Sequence, residues 1–374
     1  TGFAIADAPL VQRGLRALAG RVKTPTRAAL LLFPVVAFAG WLNWGLGLVV
    51  GALLAREIAK RTHIDFAWLV AGSYSAWSIC NNGLSSSIAL TQASPGNALN
   101  FVEKLTGHVI PLSETVFASF VLIPTVLIVV IMAYVFIKIY PTDKDVVCFT
   151  EDGDSQTPDL HTRDRAGSFA ARAEHSMIGT MFVIVMGAGY IVLMWRNGEI
   201  VVDINTTILM FFMIGMGLQR TPIAYADAIR RAAHQTGSML LQYPMYGGIM
   251  GMMRGTGLAS VISGGIVSVA TAKTLPLFAF ASSLIITFLI PSAGGHWAVD
   301  GPFVVPAALS LHASVPHSVM GVAMAENVSN MLQPFWAVPV VAIAGIRIQR
   351  VMGYTAVTFI VSLAIYVLSL WLIP

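Results

Sequence analysis

The chain has 374 residues, 11% of them charged and 56% hydrophobic, and its mean hydropathy is +0.76. A soluble domain carries about 25% charged residues, so water is excluded as the main solvent. The formal net charge of +4 comes largely from arginines and lysines flanking apolar runs, which marks membrane topology and excludes a nucleic-acid partner.

Arg13, Arg16, Arg21, Lys23 and Arg27 precede the apolar run 28–55, and Arg56, Lys60 and Arg61 follow it. Basic flanks on both sides put both ends in the cytoplasm, which predicts a re-entrant hairpin with Asn43-Trp44-Gly45 near its tip. Residues 66–102 carry no charge but are too long for one straight crossing. Their Gly, Ser and Asn content predicts a span broken over Asn81 to Ser87. Residues 115–137 form an uncharged crossing. The polar stretch 141–175 reads as a solvated connector. Beyond it, 176–195 and 204–219 pass out and back, and Arg220, Arg230 and Arg231 mark the return. A crossing over 240–253, with its methionines packed, leads to a second hairpin over 275–311 that opens on the other side. A second break falls at 327–334, and 351–374 crosses last. Cys80 and Cys148 have neither disulfide nor metal-ligand spacing.

The halves share landmarks. Lys23-Thr24-Pro25 returns at Lys273, Asn43-Trp44 at His296-Trp297, and Cys80-Asn81 at Ser329-Asn330. The displacements are 250, 253 and 249 residues. Three landmarks in one order at nearly one offset indicate duplication, which is common among secondary transporters. The expected fold is an all-α polytopic membrane protein built as an inverted repeat. It has two re-entrant hairpins and two broken transmembrane helices. Units are expected at 1–140 and 176–374, the first lacking about two spans at its amino end.

Non-helical backbone survives at membrane depth only in protein or beside a wet cavity. The four stretches 40–47, 81–87, 292–297 and 327–334 are therefore expected to meet at one midplane site. Helix N-termini favour a carboxylate there, and carbonyls favour a cation. Candidate substrate- or ion-binding residues are Asn43, Trp44, Gly45, Asn81, Asn82, Ser85, Ser86, Ser292, Gly294, Gly295, His296, Trp297, Asp300, Glu326, Asn327, Ser329, Asn330 and Gln333. Na⁺ could sit near Asn43, Asn81, Ser292 and Asn330, whereas His296, Asp300 and Glu326 could carry H⁺, since acids inside an apolar stretch are functional candidates. Ser73, Gly187, Gly189, Gly215 and Gly217 suit helix packing instead, and His63, His108, His161 and His175 read as loop residues. Trp44, Trp297 and Trp336 are expected to line the pocket. No arginine lies in the four stretches, which disfavours binding two carboxylates. There is no HExxH and no Asp pair within a span, so no catalytic residues are expected, and no cofactor is expected beyond a coupling ion.

The run from Asn43 to Ala52 with Ala55-Arg56-Glu57 resembles the bacterial short-chain fatty acid transporter family. So do Gly294-Gly295-His296-Trp297 with Gly301 to Ala308, Pro95-Gly96-Asn97, and Asn330-Met331 with Gln333 to Ala337. The resemblance covers essentially the whole chain, with departures at Ala293 and Val328-Ser329. It implies uptake of acetoacetate, butyrate and related short acids across the bacterial cytoplasmic membrane, driven by H⁺ or Na⁺. More distantly the layout is similar to sodium-coupled dicarboxylate carriers, which implies elevator-like movement and a homodimer in the lipid bilayer.

Overall fold

The structure, a computed structural model, describes residues 1–142, 146, 149, 174–197, 202–235 and 268–373, with isolated positions between 244 and 265. Most of the connector, with Cys148 and His161, and most of the 240–253 crossing lie outside the described residues.

Among those residues the chain is helical, with no strand. It begins with α1 (Gly2–Ala6) and α2 (Pro9–Ala19). The hairpin α3 (Pro25–Leu42) and α4 (Trp44–Ala59) is followed by α5 (Phe66–Trp77), α6 (Ser87–Ala93), α7 (Phe101–Thr106) and α8 (Ser119–Lys138). After the connector come α9 (Met177–Arg196), α10 (Ile204–Gln219) and α11 (Pro222–Gln235), with α10 and α11 bent by 114°. The chain closes with α12 (Leu275–Leu289), α13 (Ala293–Ser310), α14 (Val315–Ser329), α15 (Ala337–Ala344) and α16 (Gln349–Leu372). Of these, α3, α8, α9 and α16 are long and apolar enough to cross a bilayer, and the α10–α11 pair qualifies as one bent span.

Capping residues decide where helices restart inside the apolar chain. A helix leaves its first N–H groups unpaired, and hydrocarbon offers them no water. The Asn43 side chain accepts from the Leu46 amide at 2.9 Å, and Ser292 accepts from Gly295 at 3.4 Å. Asp65 receives the Trp68 amide at 2.6 Å and Ser314 the His317 amide at 3.3 Å. At the two tips the caps Asn43 and Ser292 make the interruption shorter than the sequence suggested. Around the first tip only Asn43 is non-helical, and Gly294 to Trp297 belong to the opening of α13. Asn327 to Ser329 likewise complete α14, and the second break runs from Asn330 to Trp336. The first broken helix parts over Ser78 to Ser86, beginning three residues before the expected Asn81 to Ser87.

Side-chain registers give the helix directions. Gly47 lies on Gly40 and Gly51 on Val36, so α3 and α4 run antiparallel about Asn43. Gly72 faces Leu32 and Gly40 faces Trp77, so α5 runs alongside α3 in the same sense. In the later half Gly321 packs on Pro276, and Ser329 bonds the Leu284 carbonyl at 3.2 Å, so α12 and α14 are parallel. The long α16 connects the groups. It runs parallel to α5 through Ser75–Thr358 (2.7 Å) and Asn82–Tyr366 (3.0 Å). Against α12 it is antiparallel, with Phe288 on Phe359 and Phe280 on Tyr366.

Behind the breaks lies a closed amide network. Asn82 Nδ2 donates to Thr125 at 2.8 Å and to the Tyr366 hydroxyl at 3.0 Å. Asn327 Nδ2 donates to Asn82 Oδ1 at 3.0 Å and to the same hydroxyl at 3.2 Å. Asn327 Oδ1 accepts from the Asn81 backbone amide at 3.1 Å. Buried polar groups that satisfy one another rigidify the interior.

Two stability predictions follow from these contacts. Tyr366→Phe takes an acceptor from two buried amides and should cost about 1–3 kcal/mol, read as a lower denaturation midpoint in detergent. Gly47→Leu drives a side chain into the backbone of Gly40 and should cost about 1–3 kcal/mol. Gly189→Ala on α9, where an added methyl meets nothing within 4 Å, should leave the midpoint unchanged. An unshifted midpoint for Gly47→Leu would refute the close hairpin.

Candidate functional site

The two hairpin tips and the two breaks surround a cavity of about 190 Å³. Its wall comprises Trp44, Trp77, Cys80, Asn81, Ser87, Ser292, Ala293, Gly294, Glu326, Asn330 and Trp336. Drug-sized sites span roughly 300–1,000 Å³, so this cavity suits a small ligand.

One wall is aromatic. Trp44 meets Trp336 edge-on at 5.2 Å, Trp336 lies 6.0 Å from Trp77, and Trp77 stacks on Tyr74 at 5.5 Å. The facing wall is polar, made by Asn81, Ser292, Asn330 and Glu326. Glu326 is 2% exposed, and its Oε2 lies 3.5 Å from His296 Nδ1 without a hydrogen-bond partner. Among the described residues no lysine or arginine lines the cavity. The N-terminal ends of α4, α13 and α15 meet it through Trp44, Ala293 with Gly294, and Trp336. Helix N-termini carry partial positive charge, so this arrangement can receive an anion without a cationic side chain.

The lining residues pair across the chain at one offset. Trp44 corresponds to Ala293, Trp77 to Glu326, Asn81 to Asn330 and Ser87 to Trp336, each displaced by 249 residues. By the same offset the cap Asn43 corresponds to the cap Ser292. His296-Trp297 lies four residues, about one helical turn, beyond the Ser292 cap.

Of the residues expected at the site, Trp44, Asn81, Ser292, Gly294, Glu326 and Asn330 reach the cavity. Asn43, Gly45 and Ser85 line instead, together with Trp44, an adjoining and mostly apolar cavity of about 560 Å³. Ser85 Oγ accepts from the Trp44 amide at 2.8 Å, and Ser86 caps α6. Asn82 and Asn327 belong to the network behind the breaks. Gln333 donates to Asn330 Oδ1 at 2.7 Å and holds that side chain from outside the wall. Ser329 bonds the carbonyls of Ala325 and Leu284. His296 and Asp300 are fully buried on α13 behind the wall, and Gly295 carries the amide that Ser292 caps. Trp297 is not pocket lining. It is fully buried, donates to the Leu99 carbonyl at 2.9 Å and packs on Phe101. Sequence reasoning missed Trp77, whose place in an uninterrupted apolar helix hides it. The repeat offset applied to Glu326 would have found it.

The profile of the family described as "Short chain fatty acid transporter" matches residues 1–373. A provisionally named short-chain fatty acid transporter of Escherichia coli strain K12 is 37% identical over 374 residues, covering 100% of this chain and 84% of that protein. A provisionally named short-chain fatty acid transporter of Haemophilus influenzae Rd is 32% identical over 376 residues, covering 99% of this chain and 84% of that protein. No solved structure matches significantly. An all-helical chain with several apolar spans, matched over its length by these bacterial proteins, is a multi-pass protein of the bacterial inner membrane and belongs to the short-chain fatty acid transporter family.

Proposed function

We propose that this chain is a secondary active importer of short monocarboxylates such as acetoacetate and butyrate, coupled to H⁺ or Na⁺, with the 190 Å³ cavity as its substrate site. The observation that carries this is a small cavity that, among the described residues, has three helix N-termini, an indole wall, a buried acid and no lining lysine or arginine. The helix ends and Asn81, Ser292 and Asn330 receive the carboxylate, and the indoles take the short apolar tail. Beside an ionised Glu326 an anion would find no lining cation among the described residues, and like charges in one buried site strongly disfavour joint ionisation. A proton or a sodium ion accompanying the substrate removes that repulsion, which ties substrate binding to the coupling cation. A dicarboxylate would bring one more charge and finds no guanidinium for it.

The two halves act, in this proposal, as an inverted repeat with opposed re-entrant hairpins. Support comes from the helix registers: α5 runs with α16, whereas α12, and with it α14, runs against α16. The resemblance to dimeric carriers extends the proposal to a homodimer.

In proteoliposomes, labelled acetoacetate should show saturable counterflow that unlabelled butyrate inhibits and succinate does not. Saturable exchange of succinate without acetoacetate would overturn the substrate assignment. Imposing a sodium gradient at constant pH, and a pH gradient without sodium, identifies the coupling cation. One of the two should drive accumulation, and accumulation under neither would refute symport.

A further inference from the structure

Trp44, like the small Ser87, lines both cavities, the polar one of about 190 Å³ and the larger, mostly apolar one of about 560 Å³, whose wall also includes Thr1, Gly2 and Phe3. Its backbone is fixed from two sides. The amide donates to Ser85 Oγ at 2.8 Å, and the carbonyl accepts from Trp77 Nε1 at 2.8 Å. The indole has less support. It is 39% exposed and rests edge-on against Trp336 at 5.2 Å. Beyond it, Leu48, Val49, Leu90, Ile208, Phe211 and Ile343 offer an aliphatic and aromatic lining to anything that passes. A tail of several methylenes would gain by entering that space, because apolar burial is favourable for each carbon added. At the corresponding place in the second half stands Ala293, too small to divide anything.

From this placement we infer that the Trp44 indole is the partition that limits acyl-chain length. It stops the tail of a bound acid at the end of the small cavity and keeps it out of the larger one. The inference rests on the substrate site proposed above. Trp44 thus acts as a specificity determinant: it rejects acids by their far end while the helix N-termini hold the carboxylate. Trp336 touches the small cavity alone, so removing it enlarges the site without joining the two spaces.

The test uses the full chain in proteoliposomes, with labelled acetoacetate as tracer and hexanoate as competitor. Hexanoate should compete poorly with the parent protein. Trp44→Ala should lower the hexanoate concentration needed for half-inhibition, relative to butyrate, by at least about tenfold, the lower range for one methylene in an apolar pocket. Trp44→Phe and Trp336→Ala should retain the preference for the shorter acid. Should Trp44→Ala abolish exchange, thermal shifts of the purified variant with butyrate and with hexanoate give the same comparison. An unchanged preference in Trp44→Ala, or an equal gain of hexanoate in Trp336→Ala, overturns the partition. A parent protein that exchanges succinate and no monocarboxylate overturns the substrate site instead, and the two failures are thereby told apart.

Discussion

Everything in this architecture depends on satisfying backbone amides where there is no water. A helix that stops inside a bilayer exposes donors at its restart and acceptors at its end. Here the restarts are met by short side chains at the turn itself, Asn43 for α4 and Ser292 for α13. Elsewhere one segment closes another: Leu84 donates its amide to the Trp41 carbonyl at 2.7 Å, and Tyr74 donates its hydroxyl to the Asn330 carbonyl at 2.7 Å. Gly83 permits the first of these approaches, since a Cβ there would run into Trp41. The breaks are therefore mutually stabilising, and each is possible because the others lie beside it.

Once the breaks are gathered, the helix N-termini at Trp44, Ala293 and Trp336 lend positive polarity to a space that Glu326 also lines and that no cationic side chain reaches among the described residues. The two sides of that space differ in chemistry. Trp44 and Trp77 lie 249 residues before Ala293 and Glu326, which line the same cavity. Aromatic bulk on one side and small or acidic groups on the other give the cavity an apolar end and a polar end. Asn81 and Asn330, 249 residues apart, both reach the polar side.

Much of this was legible in the sequence. The charge-free runs located the spans, and the Gly, Asn and Ser clusters located the breaks, because hydrocarbon tolerates such residues only for a reason. The exact extent of each break was not legible, since one well-placed cap lets Trp44 or Gly294 rejoin a helix at once. Which residues reach the small cavity was legible in part. Trp44, Asn81, Ser292 and Glu326 declared themselves by chemistry within apolar surroundings. Asn82 and Asn327 carry the same chemistry but turn away into the network with Tyr366, a choice made by tertiary packing. Trp297 shows the converse, an indole beside a tip whose N–H is taken by Leu99 on another segment.

The distribution of burial also differs sharply between helices. Every residue of α14 from His317 to Ser329 is buried, whereas α9 buries only Thr180 and Gly187. No described neighbour inspects most of α9, so its identity is constrained by hydropathy and length and little else. On α14 each substitution meets a different partner within the protein. Over evolutionary time the first helix should drift freely among apolar residues while the second stays nearly fixed. The record of ancestry in this chain should thus be carried unevenly, least by α9, whose span is 11% buried where those of α3, α8 and α16 are 39–44% buried.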